Sequence, residues 1–318
     1  MLFIDAPDMR WDETQLVYHA LGRLGTEALL MTRSKEPYVC VGFSGGIPAE
    51  VDTEYCAREG IGIFRREIGG GTVLIEPHQL LIQLVLRRDR GDVPAGQHNF
   101  FRKFLAPLVD VYRDIGIEAV FHPINDLLVR GRKISGTGGG EVGACNVLAT
   151  NILLDFDYGR MASVLRCPSE RFREALREGL ELNLTTVKRE LPQAHSLPAL
   201  RKLVRKRYGE LLGPFEDSTV PTEIKREMAR LRKEFFSRKW LADPGARKPW
   251  REVKLREGCH VAQLPTPKGD ILVRTREGKI SSAESIEGAR WNWDRLAGID
   301  YDEEQIINIV SKMGRRRG

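Results

Sequence analysis

The sequence HPINDLLVRGRKISGTGGG, residues 122–140, contains the clearest structural signals in the chain. Two short β-prone runs, Leu-Leu-Val at 127–129 and Lys-Ile-Ser at 133–135, flank the turn Arg130-Gly131-Arg132. The glycine of this turn can adopt a positive φ, as a tight hairpin turn requires. The pattern therefore predicts a β-hairpin that fixes Lys133 at the start of its second strand.

A glycine-rich run, Gly136-Thr137-Gly138-Gly139-Gly140, follows the hairpin. It is too rich in glycine for an ordinary strand, and we expect a loop that lets another backbone approach closely. Exposed N–H groups in such a loop can hold phosphate. A fixed lysine beside it suits chemistry on a nucleotide or an activated acid. The alternative is a surface hairpin with a flexible tip.

A second glycine cluster lies upstream, in the run Arg65-Arg66-Glu67-Ile68-Gly69-Gly70-Gly71-Thr72-Val73-Leu74. The apolar residues after it are interrupted by Glu76-Pro77-His78 and resume over 79–86. This pattern predicts a second hairpin that carries a glycine loop before its first strand.

Together the two segments resemble the lipoate–protein ligase family, which shares a fold with biotin ligases. That family carries RRxSGGGAV before a strand pair and, later, ND-apolar-x-apolar-x-GxK-apolar-SG. The matching residues are Arg65, Arg66, Gly69, Gly70, Gly71 and Val73, and then Asn125, Asp126, Gly131, Lys133, Ile134, Ser135 and Gly136. The second motif is the more specific of the two.

The resemblance implies an α/β (α+β) fold, with a mixed-sheet biotin/lipoate ligase-like catalytic domain and a small α+β C-terminal domain. The composition changes at 213–218, so we place the catalytic, acyl-adenylate-forming domain at 1–218 and the accessory domain at 219–318. Apolar spacing predicts helices near 97–115 and 302–313. A basic helix is expected near 197–212 and a charged helix near 222–238. Strands are expected near 146–156, 252–256, 260–264, 270–275 and 279–286.

Bulk composition excludes several classes of protein. No apolar run approaches the length of a membrane span, and the first residues lack a basic-then-apolar signal pattern. We therefore expect a cytoplasmic protein, and a monomer without membrane partners. Five cysteines without CxxC spacing argue against a zinc site or a disulfide framework.

The net charge of +6 is modest and comes partly from basic clusters near 201–207, near 230–239 and at Arg315-Arg316-Arg317. We interpret the helical clusters as solvated helix faces. An acidic protein partner or an anionic substrate remains an alternative. Basic residues interleaved with aromatic ones are absent from the sequence, so we expect no nucleic-acid partner.

The resemblance implies that ATP activates lipoate as an acyl-adenylate, which a lysine of a lipoyl-acceptor protein then attacks. Lys133 would be the catalytic lysine, a cation that reaches both the α-phosphate and the acyl oxygen. Octanoate is an alternative acyl substrate.

The other predicted site residues surround that lysine. Asn125 and Asp126 would hold Mg²⁺, which prefers oxygen ligands, although Asp126 could instead cap the hairpin. Arg66 would bind phosphate or merely pair with Glu67. The remaining residues expected to contact acyl chain or nucleotide are Gly69, Gly70, Gly71, Thr72, Val73, Ser135, Gly136, Thr137, Gly138 and Gly139.

Some positions depart from the family pattern. After the first motif the family has a His-Asp pair and then Gly-Asn, whereas this chain has Ile75-Glu76-Pro77-His78-Gln79. Before the glycines the family has a small polar residue, whereas this chain has Ile68. Thr137-Gly138-Gly139 stands in place of Asn-Ala-Gln. These differences indicate a divergent branch, with contacts near 75–79 that the resemblance does not supply.

The main alternative is an octanoyl or lipoyl transferase that works through a Cys167 thioester without ATP. Cys167 lies in RCPSERF, whereas the corresponding transferase motif reads Pro-Cys-Gly, and a buried thiol is the simpler interpretation. A biotin ligase is disfavoured because its Gly-Arg-Gly-Arg loop is absent from the sequence. A nucleic-acid-binding protein on a catalytically inactive ligase fold is disfavoured by Lys133 and the two glycine clusters.

Overall fold

The computed structural model describes residues 1–191, 193, 195–246, 251–288 and 292–313. The strands are β1 Leu2–Met9, β2 Ala28–Ser34, β3 Tyr38–Val41, β4 Gly62–Arg65, β5 Val73–Ile75, β6 Gln79–Arg87, β7 Val120–His122, β8 Asp126–Val129, β9 Arg132–Ser135, β10 Thr137–Val142, β11 Cys145–Leu153, β12 Glu216–Ser218, β13 Arg251–Arg256, β14 Cys259–Leu264, β15 Ile271–Arg276 and β16 Lys279–Ser285. The helices are α1 Glu13–Arg23, α2 Ile47–Glu50, α3 Thr53–Arg58, α4 Gln97–Asp114, α5 Tyr158–Val164, α6 Glu170–Asn183, α7 Val187–Glu190, α8 Leu197–Leu212, α9 Thr222–Phe235, α10 Arg238–Leu241 and α11 Glu303–Ser311, with a 3₁₀ turn at Trp293–Leu296.

The chain forms two compact units. The first contains Met1–Asp157 and Thr185–Ala246, and the second contains Tyr158–Leu184 and the described residues from 251 onward. These units do not follow the predicted domain boundary at residue 218. The apolar side of α9 packs in the first unit, in the same core as α1. The predicted basic tail Arg315-Arg316-Arg317 lies outside the described residues.

The first unit is built on a six-stranded mixed sheet in the order β10-β11-β6-β2-β1-β12. Strand β1 runs parallel to β2 and β12, whereas β2, β6, β11 and β10 pair antiparallel in turn. The prediction of a mixed sheet is therefore correct.

Strand β6 lies in the middle of the core because eight of its nine residues are buried and six of the nine are apolar. Successive side chains of a strand point to opposite faces of the sheet. Leu80, Ile82, Leu84 and Leu86 accordingly pack on one side with α4 and α8, and Leu81 and Val85 pack on the other with α1 and α9. Burial on both faces explains why this strand reads as a continuous apolar run.

Two three-stranded sheets complete the first unit, in the orders β4-β3-β5 and β7-β8-β9. The hairpin of β8 and β9 confirms the prediction made for 127–135. The second predicted hairpin is wrong, because β5 pairs with β3 while β6 pairs with β2 and β11. The break at Glu76-Pro77-His78 thus sends the chain from one sheet into another.

The glycine-rich run after the hairpin forms a strand, β10, and not the expected loop. It lies at the edge of the large sheet and pairs with β11. The glycines of β10 have a steric cause, since the loop at 69–71 lies against this strand. A Cβ at Gly138 would be 2.7 Å from the carbonyl oxygen of Gly69, and one at Gly139 would be 3.0 Å from the Phe101 ring.

The second unit contains an antiparallel sheet in the order β13-β14-β15-β16. Ile306, Val310 and Met313 of α11 and the turn after it pack in one core with Ile271 and Val273 of β15. The strands and the closing helix lie close to their predicted positions. None of the helices in the described part of the chain combines the length and the apolar character that crossing a membrane requires.

Replacing Gly138 with alanine is expected to lower the free energy of unfolding by about 1–3 kcal/mol, because the new methyl group overlaps the Gly69 carbonyl oxygen. Urea unfolding measures the effect. The matched control is Gly91→Ala, where the added methyl group meets nothing within 4 Å, and its expected change is below about 0.5 kcal/mol. Equal effects in the two variants would show that the close approach does not constrain β10.

Candidate active site

The hairpin places Lys133 beside a buried carboxylate. Arg130 and Gly131 adopt φ values of 49° and 77°, and such a pair of positive values is the requirement of a type I′ turn. The Nζ atom of Lys133 lies 2.7 Å from Oδ1 of Asp126. The Lys133 side chain is 17% exposed and that of Asp126 only 1%. The amine is therefore held in one position and still accessible to a substrate.

A short segment around α7 fastens the hairpin from its other side. The backbone N–H of Thr185 donates to the Lys133 carbonyl at 2.8 Å. The buried carboxylate of Glu190 lies 2.7 Å from Arg132 and accepts from the Thr185 hydroxyl at 2.5 Å. Sequence reasoning missed this clamp, because the partners are more than fifty residues apart and carry no motif.

The corner between β9 and β10 is held by a network of polar side chains. Asn151 Oδ1 accepts the N–H of Gly136 at 2.7 Å, and Asn151 Nδ2 donates to Gln79 at 3.0 Å. The Ser135 hydroxyl lies 2.8 Å from that of Thr150 and donates to the Asn151 carbonyl at 2.7 Å. The expectation of free N–H groups for phosphate fails at Gly136, because Asn151 already occupies its donor. Asn151 and Thr150 were missed, although polar residues within an apolar strand are a detectable signal.

Asn125 connects the hairpin to β10. Its Nδ2 atom donates to the carbonyl oxygen of Thr137 at 3.0 Å. The same carbonyl would lie 3.8 Å from a Cβ at Gly70. The two motifs that are separated in sequence thus meet at strand β10.

Arg66 supports the first glycine segment from within. Its guanidinium donates to the carbonyls of Cys40, Gly69 and Gly71 at 3.0, 3.2 and 2.9 Å. Glu67, its expected acidic partner, instead pairs with Arg23. In this structure Arg66 braces the loop and does not pair with Glu67, and phosphate binding by Arg66 stays a prediction.

The glycine segment is also tied to its neighbours on both sides. The N–H of Gly69 donates to the carbonyl of Gly139 at 3.0 Å. The Thr72 hydroxyl donates to Glu50 at 2.5 Å, and Val73 opens strand β5. Thr72 therefore anchors the end of the loop to α2, and Glu50 is a further residue that the sequence did not identify.

His19 lies beneath the same segment. Its Nδ1 atom is 2.8 Å from the Gln15 carbonyl, and its Nε2 atom accepts the N–H of Glu67 at 3.2 Å. These contacts require a neutral ring with hydrogen on Nδ1. Burial lowers the pKa of His19 to about 3, so the ring remains neutral and holds the chain just before the glycines.

The expected metal ligands fit a magnesium ion only as part of a larger ligand set. Within the described residues, no group of three or more His, Cys, Asp or Glu side chains is arranged to hold a metal. Asn125 and Asp126 supply one amide and one carboxylate, and the carboxylate contacts Lys133. Magnesium commonly uses one or two carboxylates and completes its shell with phosphate and water, which such a pair suits.

Two cysteines are relevant to the alternative of acyl transfer through a cysteine thioester. Cys40 is buried behind Arg66, and burial raises the pKa of its thiol, which disfavours the nucleophilic thiolate. Cys167 lies in the second unit, where its thiol is 3.7 Å from the Ala162 carbonyl.

Comparison with known proteins places these features in context. The family model described as Lipoyl protein ligase A/B catalytic domain matches residues 7–209. Lipoate-protein ligase LplJ of Bacillus subtilis is 32% identical over 139 residues, which make up 43% of this chain and 40% of that protein. Octanoyltransferase LipM of Halalkalibacterium halodurans is 23% identical over 208 residues, or 56% of this chain and 75% of that protein.

Solved structures share the fold. The bi-partite lipoate protein ligase of Thermoplasma acidophilum, described with its E2 lipoyl domain, matches with a TM-score of 0.67 at 21% identity, over 78% of this chain and 100% of that one. A lipoate-protein ligase A bound with ATP matches with a TM-score of 0.62 at 21% identity, over 76% of this chain and 98% of that one. The predicted fold class is confirmed.

The buried His19 predicts a pH dependence of stability. The pKa of this group falls from 6.5 to about 3 on folding, so below pH 6.5 the unfolded chain binds a proton that the folded protein does not. Stability therefore decreases on acidification, by roughly 1.4 kcal/mol per pH unit. Between about pH 7 and pH 5, urea unfolding should show a loss roughly 2 kcal/mol larger in the parent than in His19→Gln. Equal losses in the two proteins would contradict a neutral, buried His19.

Proposed function

Because the chain belongs to the lipoyl protein ligase A/B catalytic domain family, we propose that it is an ATP-dependent lipoate–protein ligase. It would activate lipoate as lipoyl-AMP and transfer the lipoyl group to a lysine of a small acceptor protein. The observation that carries this proposal is Lys133 held beside Asp126, on a hairpin that Asn125 joins to the glycine-rich strand β10.

The proposed first step joins the acid to the nucleotide. A carboxylate oxygen of lipoate attacks the α-phosphorus of ATP, the bond to the β-phosphate breaks, and pyrophosphate leaves. Both reactants are anions, so a fixed cation near the new bond lowers the barrier. Lys133 is assigned this role, since its amine is positioned and partly accessible.

In the second step the amine of the acceptor lysine attacks the acyl carbonyl. An amide bond forms, the bond to the phosphate oxygen breaks, AMP leaves, and the amine gives up a proton. The glycines at 69–71 and β10 present backbone without side chains, which lets an acyl chain and its carbonyl approach closely. Thr72, Val73, Ser135, Thr137, Gly138 and Gly139 remain proposed contacts of acyl chain or nucleotide.

A magnesium ion would neutralise phosphate charge during the first step. Asn125 and Asp126 are the residues proposed to hold it, together with phosphate oxygens. Asp126 also orients Lys133, so one carboxylate would serve the lysine and the metal.

The proposal favours ATP over a cysteine thioester for two reasons. Cys40, which contacts Arg66, is buried with a raised thiol pKa, and Cys167 stands in a Cys-Pro order that differs from the Pro-Cys-Gly of the transferase motif. A structural neighbour is a lipoate-protein ligase A bound with ATP. The similarity to an octanoyltransferase makes the Cys167 route the alternative that an experiment has to separate.

We assign both half-reactions to the first unit and the accessory role predicted for 219–318 to the second unit. The proposed enzyme acts in the cytoplasm as a monomer. Its partners are lipoate or octanoate and a lipoyl-acceptor protein.

The test is lipoate-dependent exchange of labelled pyrophosphate into ATP. The parent should show exchange, and Lys133→Ala should lose it by at least about 100-fold, because the cation at the reacting phosphate is removed. Lys188→Ala is the matched control, since Lys188 is an exposed lysine paired with Asp155, and it should retain parental exchange. Cys167→Ser should also retain it.

A different outcome would assign the protein to the transferases. That outcome is no exchange in the parent together with acyl transfer from an octanoylated carrier that Cys167→Ser abolishes.

A further inference from the structure

His122, the last residue of β7, lies on the same face of the β7-β8-β9 sheet as the lysine site. It is directly opposite Asp126 of β8, and Leu128 of β8 is directly opposite Lys133 of β9. Side chains of directly opposed residues share a face of the sheet, with Cβ atoms about 5 Å apart. Asp126 also lies 2.7 Å from Lys133. One carboxylate residue is therefore a neighbour of both His122 and the lysine.

The other face of this small sheet packs into the core. Leu127 and Ile134 belong to the core that contains α4, and Phe121 packs against it. His122 follows Phe121 in β7, so its side chain points away from that core. His122 is only partly buried, and the Lys133 side chain on the same face is 17% exposed. This face is thus partly open to a ligand.

The His122 ring has an unpaired polar atom. Within the part of the chain that the structure describes, its Nδ1 atom is buried and forms no hydrogen bond. His19 differs, because both of its ring nitrogens contact backbone groups, at Gln15 and Glu67. A buried polar atom without a partner lowers stability, and folded proteins retain such atoms mainly at functional sites. The local fold therefore does not explain His122 in the way that it explains His19.

The burial of Nδ1 indicates which role the ring can take. A neutral imidazole carries hydrogen on one nitrogen and a lone pair on the other. A buried N–H without an acceptor is rarer than a buried acceptor without a donor, so the hydrogen belongs on Nε2. Action as a base would place hydrogen on both nitrogens, including Nδ1, which has no acceptor among the described residues. The ring is therefore suited to donate a hydrogen bond through Nε2.

The proposed first step provides an acceptor for such a donor. The carboxylate of lipoate loses its negative charge when it attacks, whereas the oxygens of the α-phosphate stay anionic throughout. A donor accelerates a reaction only if its contact is stronger in the transition state than in the ground state. The α-phosphate oxygens meet this condition better than the carboxylate does. Lys133 would supply charge there, and His122 a directed N–H from the neighbouring strand.

We propose that His122 is a further catalytic residue, which donates a hydrogen bond from Nε2 to an anionic oxygen of the α-phosphate while the acyl-adenylate forms. The inference rests on the proposed function, since ATP supplies the phosphate. Asp126 separates the two donors along the strand and orients Lys133.

The test compares His122→Gln with His122→Asn in lipoate-dependent pyrophosphate exchange. The amide nitrogen of glutamine reaches about as far as Nε2, whereas that of asparagine reaches only as far as Nδ1. We expect His122→Asn to lower kcat by about 100-fold and His122→Gln to stay within about fivefold of the parent. The KM for lipoate should change by less than about threefold in both variants, because the donated bond goes to the phosphate.

His98→Asn is the matched control. His98 is an exposed histidine of α4 whose ring lies 5.8 Å from that of Phe121, on the other face of the sheet. This variant should retain the parental exchange rate. A loss in His98→Asn as large as that in His122→Asn would overturn the assignment to the lysine face.

His122→Leu separates catalysis from folding. Leucine removes the unpaired Nδ1, so urea unfolding should show a variant at least as stable as the parent, although its exchange is as slow as that of His122→Asn. Loss of stability together with loss of exchange would show that His122 serves the fold, and would overturn the proposal.

The outcomes distinguish this inference from the ligase proposal. Exchange in the parent with equal rates in His122→Gln and His122→Asn would overturn the role of His122 and leave the ligase standing. Absence of exchange in the parent would overturn the ligase, and with it the phosphate that His122 is proposed to bind.

Discussion

The contact between the loop at 69–71 and strand β10 is the constraint on which the site depends. The two backbone segments approach so closely that a Cβ at Gly138 would clash with the carbonyl oxygen of Gly69. A Cβ at Gly70 would clash with the guanidinium of Arg66. The hydrogen bond from Gly69 to Gly139 sets their separation. Arg66 stabilises the arrangement, because its buried guanidinium donates hydrogen bonds to the carbonyls of Gly69 and Gly71.

The Lys133 hairpin is fixed by a different set of interactions. Its turn is determined locally, by two residues with positive φ. Its position relative to the large sheet depends on partners that are distant in sequence, namely Thr185, Glu190 and Asn151. Rigid support of this kind matters for catalysis because a small displacement of a positioned group is costly.

Much of the architecture could be read from the sequence, since helix α4, the hairpin and the strands of the second unit are specified by local periodicity and turn residues. The sequence also singled out Lys133 and both glycine clusters, and their roles in catalysis stay predictions. It did not reveal that β10 is a strand, that β5 and β6 lie in different sheets, or that Arg66 braces a loop. Those features depend on which segments meet across long separations, and local propensity carries no information about such contacts. Glycine shows that a backbone is approached closely, but only the folded chain identifies the segment that approaches it.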